Sequence, residues 1–257
     1  DLLSNEDAND EVAEFVREKI GEIVKDPVTA EALKPQGYPI FARRVCLDSN
    51  YYETYNLENV HLVDLLNDPL IEITENSIRT ESGETELDVL IFATGYDALT
   101  GALLAFDVRG QNGYTLHEAW KEGPVSYLGM MVDGFPNMFA TSGPNGPAAL
   151  ANLITIAEND VDWIAGAISH MDKNGLAKVS IRKEAQDRWM ELVRELAAPS
   201  LIRKAKTWWV GSNVKGKPQG LTMFVGGFDK YKAACDAAAA NNYEDCIFEK
   251  AKVAETA

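Results

Sequence analysis

The 257-residue chain is acidic, with 24 Lys+Arg against 40 Asp+Glu, a net charge of −16 and a pI of about 4.6. That balance argues against nucleic-acid binding through bulk charge and against docking on anionic membranes, both of which need a basic face. The chain is 46% apolar and has no apolar run near the ~20 residues that span a bilayer, as expected of a cytoplasmic globular protein with one large or two ordinary domains.

Chain order begins with "DLLSNEDANDEV", which is acidic and polar and unlike a secretory leader. The chain does not begin with Met and its first residues already enter a helix, which fits a piece of something longer as well as a processed chain. Ser4 with Asp7 reads as a helix cap and acidic first turn. Val12, Phe15, Val16, Ile20, Ile23 and Val24 then recur at helical spacing up to Asp26-Pro27, and a second helix is predicted from Val28 to Leu33. Residues 59 to 92 read as strands: "VHLVDLL", "IEITE", "SIRTES" and then Leu87 to Ala93, a continuous apolar run suited to a strand buried on both faces. "FDVRGQNGYTL" predicts a hairpin about Asn112-Gly113. "NMFATSGPNGP" predicts a short strand feeding a Gly/Pro loop, and a long helix from Ala148 to His170 follows, stopped by Asn174-Gly175. Further predictions are a helix from Glu184 to Ala197, a strand over "LTMFV" and a last helix from Asp229 to Ala240.

Cys46, Cys235 and Cys246 form no CxxC pair, and His61, His117 and His170 are isolated. Reduced structural thiols and no metal site are expected. "GSNVKGKP" nearly matches a P-loop, but Pro218 stands where a hydroxyl residue would hold Mg²⁺, so a basic surface loop is expected. Arg43 and Arg44 stand side by side in this acidic chain. They are either a solvated or ion-paired doublet or an anion site. The turn of Gly143 to Pro147 before a helix is either a plain connection or a place where helix-terminal N–H groups meet an anion. Ala93-Thr94-Gly95 is either a tight turn or a strand end small enough for a cofactor to lie on the main chain. Of the adjacent Trp208 and Trp209, one can be core while the other lines a site.

Taken in order, "ARRVCLDSNYYETYN", "ELDVLIFATGYDALTGAL", "SYLGMMVDGFPNMFATSGPNGPAALANL", "TWWVGSNVKGKP" and "FVGGFDKYKAAC" resemble the C-terminal half of Baeyer–Villiger monooxygenases. The nearest branch is that acting on cyclic and aryl-substituted ketones. The resemblance implies an α/β fold, the C-terminal portion of a flavoprotein with two Rossmann-like dinucleotide-binding domains. Residues 1–34 would be a helical part of the NADP domain, 35–85 its closing part and 86–257 the C-terminal part of the FAD domain. It implies FAD and NADPH as cofactors, and a small-molecule ketone and O2 as reactants. The product would be an ester or lactone. By the resemblance Arg44 is the catalytic arginine beside the flavin, where it stabilises a transient anion. Arg43 stands where the family usually keeps a lysine near the NADPH 2′-phosphate. Ala93, Thr94, Gly95, Asn145, Gly146, Pro147 and Trp208 fall at cofactor-binding positions. Ala148, Ala149, Leu150 and Leu153 fall beside the flavin and substrate. No G-x-G-x-x-G occurs in the chain, and the F-x-G-x-x-x-H-x-x-x-W fingerprint is absent. Both belong to the N-terminal half. The chain is therefore expected to be inactive without that half, supplied by the same polypeptide or a separate chain. A flavin monooxygenase acting on nitrogen or sulfur, or a non-catalytic interaction fragment, is the alternative.

Overall fold

A computed structural model describes residues 2–147, 151–212, 214–218 and 220–251. The chain divides into two compact units, Asp1–Gly95 and Tyr96–Ala257.

The first unit opens with α1 (Glu6–Ile23), capped by Asn5 rather than Ser4; the Asn5 Oδ1 accepts from the Ala8 amide at 3.0 Å. Its helix-spaced apolar face meets α2 (Pro27–Leu33) in a small core of Ile20, Val24 and Ala30, flanked by Val16, Leu33, Tyr52 and Tyr55. Proline at the first position of α2 suits its fixed φ, and the Asp26 carboxylate caps the Thr29 amide at 2.8 Å. A single turn, α3 (Tyr51–Thr54), follows. The strand expected at Val60–Leu66 does not form. Asp64 instead bends the chain, its carbonyl accepting from the amides of Asn67 and Asp68 at 3.0 and 2.8 Å. β1 (Leu70–Ile73), β2 (Ser77–Thr80) and β3 (Glu84–Glu86) make an antiparallel meander in which Ile73 faces Ile78 and Ile78 faces Thr85.

The run Leu87–Ala93 is neither a strand nor buried in this structure: Val89, Ile91 and Phe92 are 73%, 81% and 69% exposed. A strand apolar on both faces needs a hydrogen-bonded neighbour and a covering layer. Among the described residues no strand pairs with it.

In the second unit, α4 (Gly101–Leu104) and α5 (Leu116–Ala119) border a minor core of Leu116, Trp120, Val132 and Phe135. The expected hairpin shrinks to one bridge, Arg109 to Thr115, about Asn112 and Gly113, both at positive φ (56° and 78°). The main core gathers Trp163 of α6 (Leu153–Asn174), Val179 of β4 (Leu176–Ile181), Trp189 of α7 (Lys183–Ala197), Tyr231 of α8 (Phe228–Ala240) and Cys246 of β5 (Cys246–Lys250). Helix α6 starts at Leu153; the expected start at Ala148 lies outside the described residues, and Ala151 and Asn152 are not helical. Asn152 caps it, accepting from the Ile154 amide at 2.9 Å, and Gly175 ends it at φ 64°. β4 and β5 pair antiparallel, with Ile181 opposite Cys246. The outer edge of β4 is covered by Asn137, whose main chain and side chain bond both polar groups of Val179 (2.9 and 2.8 Å). Residues 137–147 and 221–225 are not strands, although Met223 and Phe224 are fully buried. Their polar groups bond to loops instead. No described helix is long and apolar enough to cross a membrane.

Candidate cofactor-facing site

In the first unit, Arg43 and Arg44 follow a buried anchor. Asn9 is inside α1, and its side chain exchanges two hydrogen bonds with the main chain of Ile40: Nδ2 donates to the carbonyl and Oδ1 accepts from the amide, both at 2.9 Å. Ala42 is buried beside it, while Arg43 and Arg44 are both exposed. The Arg43 guanidinium lies over the Tyr38 ring at 4.4 Å, a cation–π contact. Asn9 escaped sequence reading because a polar residue inside an amphipathic helix looks like part of its wet face. Ala93, Thr94 and Gly95 are exposed, and a side chain at Gly95 (φ 83°) would meet open space.

In the second unit, residues 143–147 of the "SGPNGP" turn are buried and held by several hydrogen bonds. Asn145 sits at φ 66°, a left-handed conformation that asparagine tolerates well. Its amide donates to the Thr222 carbonyl at 2.8 Å and its Nδ2 to the Leu221 carbonyl at 3.1 Å. Its own carbonyl accepts from the Trp189 indole at 3.2 Å. Ser126 closes the other side, its hydroxyl donating to the Pro144 carbonyl at 2.7 Å and its oxygen accepting from the Gly129 amide at 3.1 Å. The loop stands so close to residue 129 that a Cβ at Gly143 would lie 2.3 Å from the Gly129 carbonyl oxygen. Asn145 thus spends its polar atoms on the loop's shape; Gly146 and Pro147 are buried with it. Ala148, Ala149 and Leu150 lie outside the described residues, and Leu153 is exposed at the first position of α6.

Thr222 joins this loop to the tryptophan pair. Its amide and hydroxyl both donate to the Trp209 carbonyl, at 3.0 and 2.8 Å. Trp208 and Trp209 occupy a 3-10 turn rather than an extended segment, their rings edge to face at 5.7 Å. Trp209 is buried and Trp208 half-buried, so one serves the core and the other is available to a site. Thr222 was hidden in "LTMFV", which alternates like a strand. Lys217, expected on a surface loop, is instead largely buried and ion-paired with Asp97.

Cys235 and Cys246 are buried, and desolvation pushes both thiols up to about 12, so they are inert. Cys46 is free and exposed, so the expectation of a structural thiol fails there. Among the described residues no group of His, Cys, Asp or Glu could hold a metal ion.

These residues fit a dinucleotide cofactor in kind. Exposed small residues at 93–95 leave room for a flat group against the main chain, and exposed guanidiniums at 43 and 44 can meet phosphate. A half-buried indole at 208 can meet an aromatic ring.

No family model matches the chain. Individual proteins do. A Baeyer–Villiger monooxygenase from Pseudooceanicola batsensis is 43% identical over 251 residues, covering 97% of this chain and 45% of its own. A cyclohexanone 1,2-monooxygenase from an Acinetobacter species is 40% identical over 245 residues, covering 95% and 44%. A phenazine N-monooxygenase from Lysobacter antibioticus is 39% identical over 248 residues, covering 96% and 45%. Among solved structures, a closed cyclohexanone monooxygenase superposes with a TM-score of 0.93 at 38% identity, covering 98% of this chain and 47% of that one. OTEMO, solved with FAD and NADP, gives a TM-score of 0.90 at 39% identity, covering 96% and 46%. The chain spans about half the length of the curated relatives it matches. By sequence and by fold, the chain is similar over nearly its whole length to about half the length of the Baeyer–Villiger monooxygenases it matches.

Proposed function

We propose that this chain is the C-terminal part of an FAD- and NADPH-dependent monooxygenase that inserts one oxygen atom of O2 beside a ketone carbonyl, giving an ester or lactone. The observation that carries this is the match to Baeyer–Villiger monooxygenases over 97% of the chain. FAD, when bound, supplies the redox and oxygen-transfer chemistry. In this reading Arg44 is the catalytic residue: its guanidinium stabilises a developing anion through charge-assisted hydrogen bonds. Arg43 holds the 2′-phosphate of NADPH, where a guanidinium can bond in bidentate fashion. Ala93, Thr94 and Gly95 receive the flavin side of the site. Asn145, Gly146 and Pro147 belong to a cofactor-binding loop, and Trp208 faces the nicotinamide. Ala148, Ala149, Leu150 and Leu153 line the ketone pocket.

The required partner is the N-terminal half of the family fold, within one polypeptide or as a separate chain. The exposed run Val89–Phe92 supports this, since it has the composition of a doubly covered strand and lacks a neighbour among the described residues. We place the protein in the cytoplasm, a setting in keeping with its free thiols. A second reading, oxygenation of a ring nitrogen, has one observation in its favour: the phenazine N-monooxygenase among the relatives.

The test joins this chain to a family N-terminal half and follows flavin absorbance and products. The isolated chain should not retain stoichiometric FAD; the assembly should, and should convert a cyclic ketone to its lactone. Arg44→Ala should abolish lactone formation while FAD stays bound. Full lactone formation by Arg44→Ala would remove that residue from the chemistry, and N-oxide from a phenazine with no lactone would select the second reading.

A further inference from the structure

Between residues 196 and 228 the sequence carries five basic side chains, Arg203, Lys204, Lys206, Lys215 and Lys217, and no acidic one. Lys217 reaches outside this segment for its counterion. Its ammonium donates to the Asp97 carboxylate and, at 3.1 Å, to the Ala98 carbonyl. The Lys217 side chain is 8% exposed and that of Asp97 is 42% exposed, which sets this pair apart from the exposed i,i+3 and i,i+4 pairs on the helices.

The stem of Lys217 passes over Gly211, the residue that ends the Trp208–Val210 turn: a Cβ at Gly211 would lie 3.8 Å from Lys217 Cδ and Cε and 2.9 Å from the Pro218 carbonyl oxygen. The neck of the same loop is stitched by Ser212 to the Thr207 carbonyl (amide 3.2 Å, hydroxyl 3.0 Å), by the Gly220 amide to the Val210 carbonyl (3.1 Å) and by Thr222 to Trp209. The neck fixes where the loop starts, and Lys217 fixes where its tip lies. Asp97 is two residues beyond Gly95, the end of the turn assigned to the flavin side.

We infer that Lys217 is a positioning residue, and that its ion pair with Asp97 latches loop 207–222 onto residues 97–98 and so holds the Trp208 turn. The latch rests on geometry within the second unit. Its consequence for NADPH rests on the reading of Trp208 given above.

Limited trypsin digestion of the full 257-residue chain tests it, following by mass the fragment ending at Lys215. Lys215 and Gly216 are already exposed, so cleavage between them is limited by local unfolding of the backbone, which release of the Lys217 contact favours; Lys217→Met should therefore be cut there about fivefold faster than the parent. The double exchange Asp97→Lys with Lys217→Asp restores opposite charges and should return the rate to within about twofold of the parent, an effect that a packing role alone would not show. The thermal midpoint should change little in both variants. Unchanged cleavage in Lys217→Met, or failure of the double exchange to restore protection in a folded chain, would overturn the latch. In the assembled protein Lys217→Met should weaken NADP⁺ binding severalfold, again restored by the exchange. Accelerated cleavage with unaltered NADP⁺ affinity would leave the latch standing and remove Trp208 from the nicotinamide site.

Discussion

The two units bury their apolar side chains to different extents. The second buries Trp163, Trp189, Phe224 and Tyr231 in one core, with Trp189 stacked on Phe224 at 5.0 Å. The first keeps a small helical core and leaves Leu47, Leu66, Ile71, Val89, Ile91 and Phe92 exposed. A helix satisfies its backbone from within and needs a neighbour on one face only, whereas a strand needs partners on its edges as well. The first unit therefore holds what its helices can hold and leaves its apolar extended runs bare.

The largest effect is expected where packing is densest. Trp189→Ala removes the ring stacked on Phe224 and the indole donor to the Asn145 carbonyl. It should destabilise the second unit by about 3–5 kcal/mol, read as a fall in the denaturant midpoint of the chain. A loss under about 1 kcal/mol would mean that this core is loose and that the contrast between the units is smaller than drawn.

Next comes the anchor of the arginine doublet. Asn9→Ala leaves the amide and carbonyl of Ile40 without their partners in a buried place. Each such group costs about 1–3 kcal/mol when stranded. The expected outcome is loss of hydrogen-exchange protection at the Ile40 amide, with the core of the second unit unchanged. Retained protection would show that Ile40 is held by packing instead.

What could be read from sequence follows the same division. Helices α1, α2, α7 and α8 appear within a residue or so of their expected positions, because caps such as Asp26 and apolar spacing are local signals. Strands fared worse for a physical reason. "VHLVDLL" and "LTMFV" have strand composition, but the first is bent about Asp64 and the second spends its bonds on Trp209 and Gly146. Conversely β4 and β5 are 65 residues apart at their paired ends, Ile181 and Cys246, and no local pattern announces so distant a pairing. Of the site, the arginine doublet, the Ala-Thr-Gly turn and the tryptophan pair stand out by residue type. Asn9, Thr222 and Lys217 do not, because each acts through a contact with a distant part of its own unit.

A smaller effect is expected from the buried carboxyl of the second unit. Asp160 is 1% exposed; its Oδ2 accepts from the Ser142 amide at 2.8 Å and its Oδ1 lies 2.5 Å from the Tyr231 hydroxyl. That hydroxyl is also 2.9 Å from the Leu128 carbonyl, and one phenolic proton cannot serve both acceptors. Burial raises the Asp160 carboxyl above its ordinary 3.8, against the lowering pull of Tyr231 and Ser142. As pH climbs past 3.8 the unfolded chain releases this proton while the folded chain still holds it, so stability contributed by the protonated form is lost until the folded carboxyl ionises too. Asp160→Asn can keep the same bonds and has no proton to release. Its denaturant midpoint should therefore gain on the parent as pH rises from 4 towards neutrality; a parallel pair of curves would show that Asp160 is ionised in the fold throughout.

The smallest change in stability is expected at the most exposed apolar run, and it separates the two units most sharply. Ile91 is 81% exposed, so Ile91→Lys removes little packing from this chain and should shift its stability by no more than about 0.5 kcal/mol. A lysine at the centre of a strand covered on both faces would instead bury a charge without a partner, which costs several kcal/mol. Titration against a family N-terminal half should then show assembly and flavin retention lost in Ile91→Lys although the isolated chain melts as the parent does. Equal assembly by parent and variant would mean that this run stays at the surface, and that the bare apolar side chains of the first unit need another explanation than a missing neighbour.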